Sequence, residues 1–194
     1  MKPASTIPPR FSLAVCLRVI LGLMVLAAPG VMRAQSAVSK EYQVKAAFLF
    51  NFAQFVEWPA KEFSDANSPL VIGILGNDPF GAILDEMVRG EKVKGHPLIV
   101  QRYRQVEEIQ NCHVLFLSPS ESNQVERILE RLRGRSLLTV SDLEGFAQKG
   151  GIIRFVTDKG KIRFRVNLEA AKRADLTISS KLLKAAEIVA PGKD

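Results

Sequence analysis

The sequence has 194 residues, with 27 Lys and Arg against 20 Asp and Glu, a formal charge of +7. Four of the bases (Lys2, Arg10, Arg18, Arg33) and none of the acids fall within residues 1–34, so 23 bases face 20 acids beyond them, a balance of +3. That residue argues against a nucleic-acid partner, which needs a basic patch; two histidines and one cysteine past residue 34, without ligand spacing, argue against a zinc site.

Lys2 and Arg10 form a basic start, VILGLMVLAA (19–28) a short apolar run, and Pro29-Gly30 a break before Ala34. This is the pattern of an export signal, with cleavage expected after Ala34. Ten apolar residues are too few to cross a bilayer core, which takes about 20. The mature chain, 35–194, is then one exported domain with a proper core. Its single cysteine, Cys112, opens CHVLFL and reads either as a small buried hydrophobe or as an unpaired thiol for an intermolecular bridge.

VKAAFLFNFAQFVEWP (44–59) predicts a helix with Val44, Leu49, Phe48, Phe52, Phe55 and Val56 on its core face. Pro59 pushes Trp58 toward an extended conformation and ends the helix. Phe50 and Trp58 are left over from the stripe; Trp58 is expected to be covered by the following loop and Phe50 to be exposed. Both are candidates for contact with a partner.

LVIGIL (70–75), PLIVQ (97–101), HVLFL (113–117) and SLLTV (136–140) read as strands, with helices at 80–88 and in SESNQVERILERLRG (120–134). This alternation predicts a parallel sheet covered on both faces. GIIRFV (151–156) and KIRFRV (161–166) then form an antiparallel hairpin around a four-residue loop, 157–160. Pairing Val156 with Lys161 would set Arg154 opposite Arg163 and Ile152 opposite Arg165, with Ile153, Phe155, Ile162, Phe164 and Val166 on the core side. Like charges face to face are destabilising, so the arginine ribbon of Arg154, Arg163 and Arg165 is relieved by acids of the same chain or by solvent, or it meets an anion or an acidic partner. LEAAKRA (168–174) and KLLKAAEIVA (181–190) predict two closing helices, the second capped by Ser179 or Ser180. The fold class is therefore α/β: a single compact domain with a mixed, mostly parallel sheet, a C-terminal antiparallel hairpin and helices on both faces.

Catalytic patterns are weak. GILGNDPFG (73–81) lacks the spacing of a dinucleotide or phosphate loop. Ser141-Asp142 ends a strand, where α/β proteins often place function, but no nucleophile elbow surrounds Ser141, and Asp142 reads as a helix N-cap. A small-ligand (anion) binder or a minor hydrolase working near Gly76 and Ser141 is the alternative reading.

Taken in order, VKAAFLFNFAQFVEWP, GILGNDPFG, NCHVLFLS (111–118), LLTVSD (137–142), FAQKGGIIRFV (146–156) and RVNLEAAKRADLTISSKLLKAAEIV (165–189) resemble the YfiR family of periplasmic proteins. The resemblance implies a non-enzymatic regulator without a cofactor. It would bind the periplasmic domain of a membrane-bound GGDEF diguanylate cyclase and restrain it, lowering cyclic-di-GMP and biofilm formation, and it would form a homodimer. The family pattern includes disulfides, one cysteine of which matches Cys112; the mature chain has no second cysteine, so an intrachain bridge is ruled out here.

Overall fold

The computed structural model describes residues 30–189, so the apolar run at 19–28 lies outside the described residues. The sheet and the layers on it belong to a unit that begins at Ser39. In chain order the elements are α1 (Gly30–Phe55), β1 (Val56–Glu57), β2 (Leu70–Leu75), α2 (Ala82–Val88), β3 (Lys92–Val93), β4 (His96–Tyr103), β5 (Val114–Leu117), α3 (Val125–Arg131), β6 (Leu138–Ser141), β7 (Ile153–Asp158), β8 (Lys161–Asn167), α4 (Leu168–Arg173), β9 (Thr177–Ile178), α5 (Ser180–Leu183) and β10 (Glu187–Val189).

Eight strands make one sheet in the order β10-β8-β7-β6-β5-β2-β4-β3. All neighbours run parallel except β7 with β8 and β3 with β4. β1 and β9 pair separately as a short antiparallel ribbon. The mixed sheet with its C-terminal hairpin is the architecture that the alternating apolar runs predict.

β2 shows why the sheet must be sandwiched. All six of its residues are buried, the mark of a strand covered on both faces. Leu70, Ile72 and Ile74 join the core that α1, α2, α4 and α5 cover with Leu49, Phe52, Leu84, Ala170 and Leu182. Val71 and Leu75 join the opposite core, which α3 closes with Val125 and Ile128. Gly73 is required between them: a Cβ there would come within 2.6 Å of Cys112 Sγ and 2.7 Å of the Tyr103 ring.

Three local expectations are corrected. The β7–β8 loop has two residues, not four: Asp158 pairs with Lys161, and Lys159 and Gly160 both take positive φ, 49° and 74°, as a type I′ turn demands. The register therefore moves by two, placing Arg154 opposite Arg165 and Arg163 opposite Val156. Ile153, Phe155, Phe164 and Val166 still face the core. The segment 181–190 is not one helix. α5 is a single turn capped by Ser179, whose Oγ accepts from the Lys181 amide, and residues 187–189 form β10 beside β8. Pairing at the sheet edge outweighs the helix propensity of Lys, Leu, Ala and Glu there.

The third correction concerns α1. From residue 40 on, its buried residues are Lys45, Ala46, Leu49, Phe52 and Ala53, with Val56 following at the start of β1, whereas Val44 is 44% exposed and Phe48 and Phe55 are only half-buried. The buried stripe is rotated because Ala46 and Ala53 let the helix sit close on the sheet, and because Lys45 is held inside by partners from a distant strand end.

Candidate functional site: a charged cleft at the strand ends

α1 crosses the carboxyl end of β6, where Ser141 and Asp142 leave the sheet, and next to it Arg154 of β7 pairs in register with Ser141. These elements enclose a cleft of about 580 Å³ whose charged walls are Glu41, Lys45, Asp142, Glu144, Arg154 and Arg165. Lys45 is 3% exposed. Its Nζ lies 2.5 Å from Asp142 Oδ2 and 2.6 Å from Glu41 Oε1, and 4.4 Å from the centre of the Tyr42 ring. Tyr42 Oη donates to the same Asp142 oxygen at 2.9 Å. Burial, reinforced by the Asp142 charge, raises the Tyr42 pKa above its ordinary value, so the phenol stays protonated and remains a donor. Asp142 Oδ1 is buried and takes no hydrogen bond. Asp142 is thus not a helix cap: it anchors α1 to the end of β6.

The arginine ribbon divides. Arg154 and Arg165 stand side by side in the cleft, and Arg165 Nε donates to Glu187 Oε2 at 3.1 Å. Arg163 stands away from the cleft lining on the same strand, its Nε 3.2 Å from Asp158 Oδ2. Carboxylates of the chain itself therefore offset part of the like-charge repulsion.

The remaining candidates lie elsewhere. Phe50 is half-buried against the core rather than exposed. Trp58 is also half-buried; its Nε1 donates to the His113 carbonyl at 3.2 Å. Cys112 is buried and free, its Sγ 3.2 Å from the Val114 carbonyl oxygen. Burial pushes the thiol pKa up to about 12, so there is almost no thiolate to react. Iodoacetamide at mildly alkaline pH should leave Cys112 untouched in the native protein and label it in urea. Labelling at equal rates, read by peptide mass spectrometry, would contradict this environment.

The pieces of the alternative catalytic reading do not converge. Ser141 is fully buried, donating to the Leu117 carbonyl and accepting from the Leu143 amide. His113 sits at the amino end of β5, the opposite end of the sheet from Ser141 in the β5–β6 register. Gly76 is no phosphate cradle: a Cβ there would meet Ser120 Oγ at 2.3 Å, and Asn77 donates its amide to that hydroxyl.

At that opposite end Phe63 stacks between both histidines, with ring centres 3.9 Å from His96 and 4.7 Å from His113. His113 Nδ1 accepts from the Val71 amide at 3.1 Å, which assigns the proton to Nε2. Adding a second proton would turn Nδ1 toward a donor and bury a cation beneath Phe63. Burial accordingly lowers the His113 pKa, with the neighbouring His96 adding to it and Glu62 opposing. Because the folded state resists the proton while the unfolded state takes it near pH 6.5, the neutral ring's contribution is complete above that pH and is lost as the pH falls below it. Stability should decline there by up to about 1.4 kcal/mol per pH unit. Urea midpoints between neutral pH and about pH 5 should show a steeper loss in the wild type than in His113→Asn, whose side-chain oxygen can still accept from Val71. Equal slopes would remove His113 from the account.

Lys45 and Tyr42 escaped the sequence reading of the site, and Asp142 entered it only as a strand-end residue read as a helix cap; the available signal was a single lysine inside an otherwise apolar helical run. Among the described residues no helix is long and apolar enough to cross a membrane. A family model described as YfiR/HmsC-like matches residues 42–187, from the α1 tyrosine of the cleft to the glutamate that meets Arg165. No curated protein matches the chain. The matched span covers the sheet up to the first residue of β10 and every charged group of the cleft save Glu41, and the chain therefore belongs to the YfiR/HmsC-like family of periplasmic regulators of cyclic-di-GMP signalling.

Proposed function

We propose that residues 1–34 are removed on export and that the remaining domain, 35–194, restrains an inner-membrane GGDEF diguanylate cyclase by binding its periplasmic domain. The observation that carries this reading is the cleft itself: Arg154 and Arg165 fixed on adjacent strands beside a buried Lys45–Asp142 pair. Arginines on a stiff sheet suit bidentate contacts with carboxylates of a partner, and their charge speeds and orients association more than it adds affinity. No bond is made or broken; repression follows from holding the cyclase in its inactive arrangement. A homodimer presenting two such clefts is part of the proposal. Phe50, Trp58 and Arg163 lie outside the cleft and serve as comparison positions.

Deletion of the gene should raise cellular cyclic-di-GMP, and complementation with the wild type should lower it again. The double variant Arg154→Glu, Arg165→Glu should accumulate in the periplasm yet fail to restore the low level, while Arg163→Glu restores it. Unchanged cyclic-di-GMP in the deletion strain would sink the regulatory reading. Full complementation by the double variant would leave that reading standing and remove the cleft from it.

A further inference from the structure

β6 is paired along its whole length with β5, but β7 joins it only at Val140 and Ser141. The chain ahead of Ile153 swings away, and the Ile152 amide bonds to the Thr139 hydroxyl instead of to a strand. Where β7 would otherwise continue lies a cavity of about 400 Å³. Its position between the two cores is the unusual feature. Leu129, Leu132 and Leu137 come from the core beneath α3, while Ile152, Ala170 and Ala174 come from the core around α4. Apolar walls therefore meet through a notch in the sheet.

The mouth is charged and unbalanced. Arg133, Arg135, Lys149 and Arg173 line it against Glu126 and Glu130. Lys149 pairs with Glu126 and Arg133 with Glu130, which leaves an excess of two positive charges. Arg135 is turned inward, donating to the carbonyls of Ile109 and Gln110. Arg173, at the end of α4, borders the cavity one position before Ala174.

We infer that this notch is a binding site for a small amphipathic monoanion, a medium-chain carboxylate whose hydrocarbon fills the apolar gap and whose head meets the cationic rim at Arg173. The volume falls at the small end of the roughly 300–1,000 Å³ typical of ligand pockets, which suits a short chain rather than a phospholipid. The charge excess selects an acid over a neutral alcohol. The site is independent of the cleft on which the regulatory reading rests.

Decanoate, octanoate, hexanoate and decanol serve as probes by isothermal titration calorimetry on the purified mature protein. Decanoate should bind, each two-carbon shortening should weaken binding by roughly 15-fold, and decanol should bind more weakly than decanoate. Ala174→Phe, which fills the notch from its half-exposed side, should abolish binding. Arg173→Glu, a surface change that leaves the fold intact, should weaken decanoate and leave decanol unchanged. No heat at millimolar decanoate, affinity independent of chain length, or an Arg173→Glu protein that binds decanoate as the wild type does would each overturn the site.

Discussion

Replacing Lys45 by methionine should destabilise the protein by about 3–5 kcal/mol, the cost of stranding a buried partner when one member of an ion pair is removed. The side chain is 3% exposed and that of Asp142 13%, so water cannot replace the ammonium. Asp142 Oδ2 would keep only the Tyr42 hydroxyl, and Oδ1 already has no donor. Glu41 matters less: its side chain is 38% exposed and can turn to solvent. The loss should lower the thermal midpoint by on the order of 10 °C for a domain of this size. Asp142→Leu in the same chain should recover much of the loss, because two apolar groups leave no charge behind. A double variant no more stable than Lys45→Met alone, by urea denaturation, would mean that the lysine stabilises through its packed stem and not through its charge. The same pair fixes α1 over the cleft, so Lys45→Met should also blur the arrangement of Arg154 and Arg165.

What could be read in the sequence followed the strength of the period. β2, β4, β5 and β6 announce themselves as short, mostly apolar runs, and the β7–β8 hairpin by its alternation of apolar residues with arginines. β1, β3, β9 and β10 span two or three residues each, too short for any period to show. The hairpin register failed over one residue: Lys159 takes a left-handed conformation that its side chain does not advertise, and only the pairing of Asp158 with Lys161 reveals it. Lys94-Gly95 makes the same kind of turn between β3 and β4, with φ of 53° and 94°, so Lys-Gly serves twice here where Asn-Gly would be the familiar signal. The arginines of the cleft were visible as a ribbon, since alternation on a strand places them on one face. The pairing of Lys45 with Asp142 was not, because a charge is buried only when a partner 97 residues away arrives to meet it.

Phe52→Ala is expected to cost about 3–5 kcal/mol, at the upper part of the range for large-to-small changes in a core. Phe52 is fully buried and lies at the centre of a ring cluster that joins α1 to the hairpin. Its ring centre is 5.7 Å from Phe155, nearly parallel to it, 5.2 Å from Phe164 in an edge contact, and 6.0 Å from Phe48. Each such pair adds about 0.5–1.5 kcal/mol beyond the buried area, and the stiff strands on the far side limit collapse into the space left. Val44→Ser tests the corrected face of the same helix. Val44 is 44% exposed, so its loss should change stability by no more than about 0.5 kcal/mol, whereas a helix seated on the Val44 face would suffer from both changes alike. Urea denaturation of the two variants side by side separates these outcomes. A small effect at Phe52 with a large one at Val44 would show that α1 is rolled about its axis relative to the sheet, and Lys45 could not then reach Asp142.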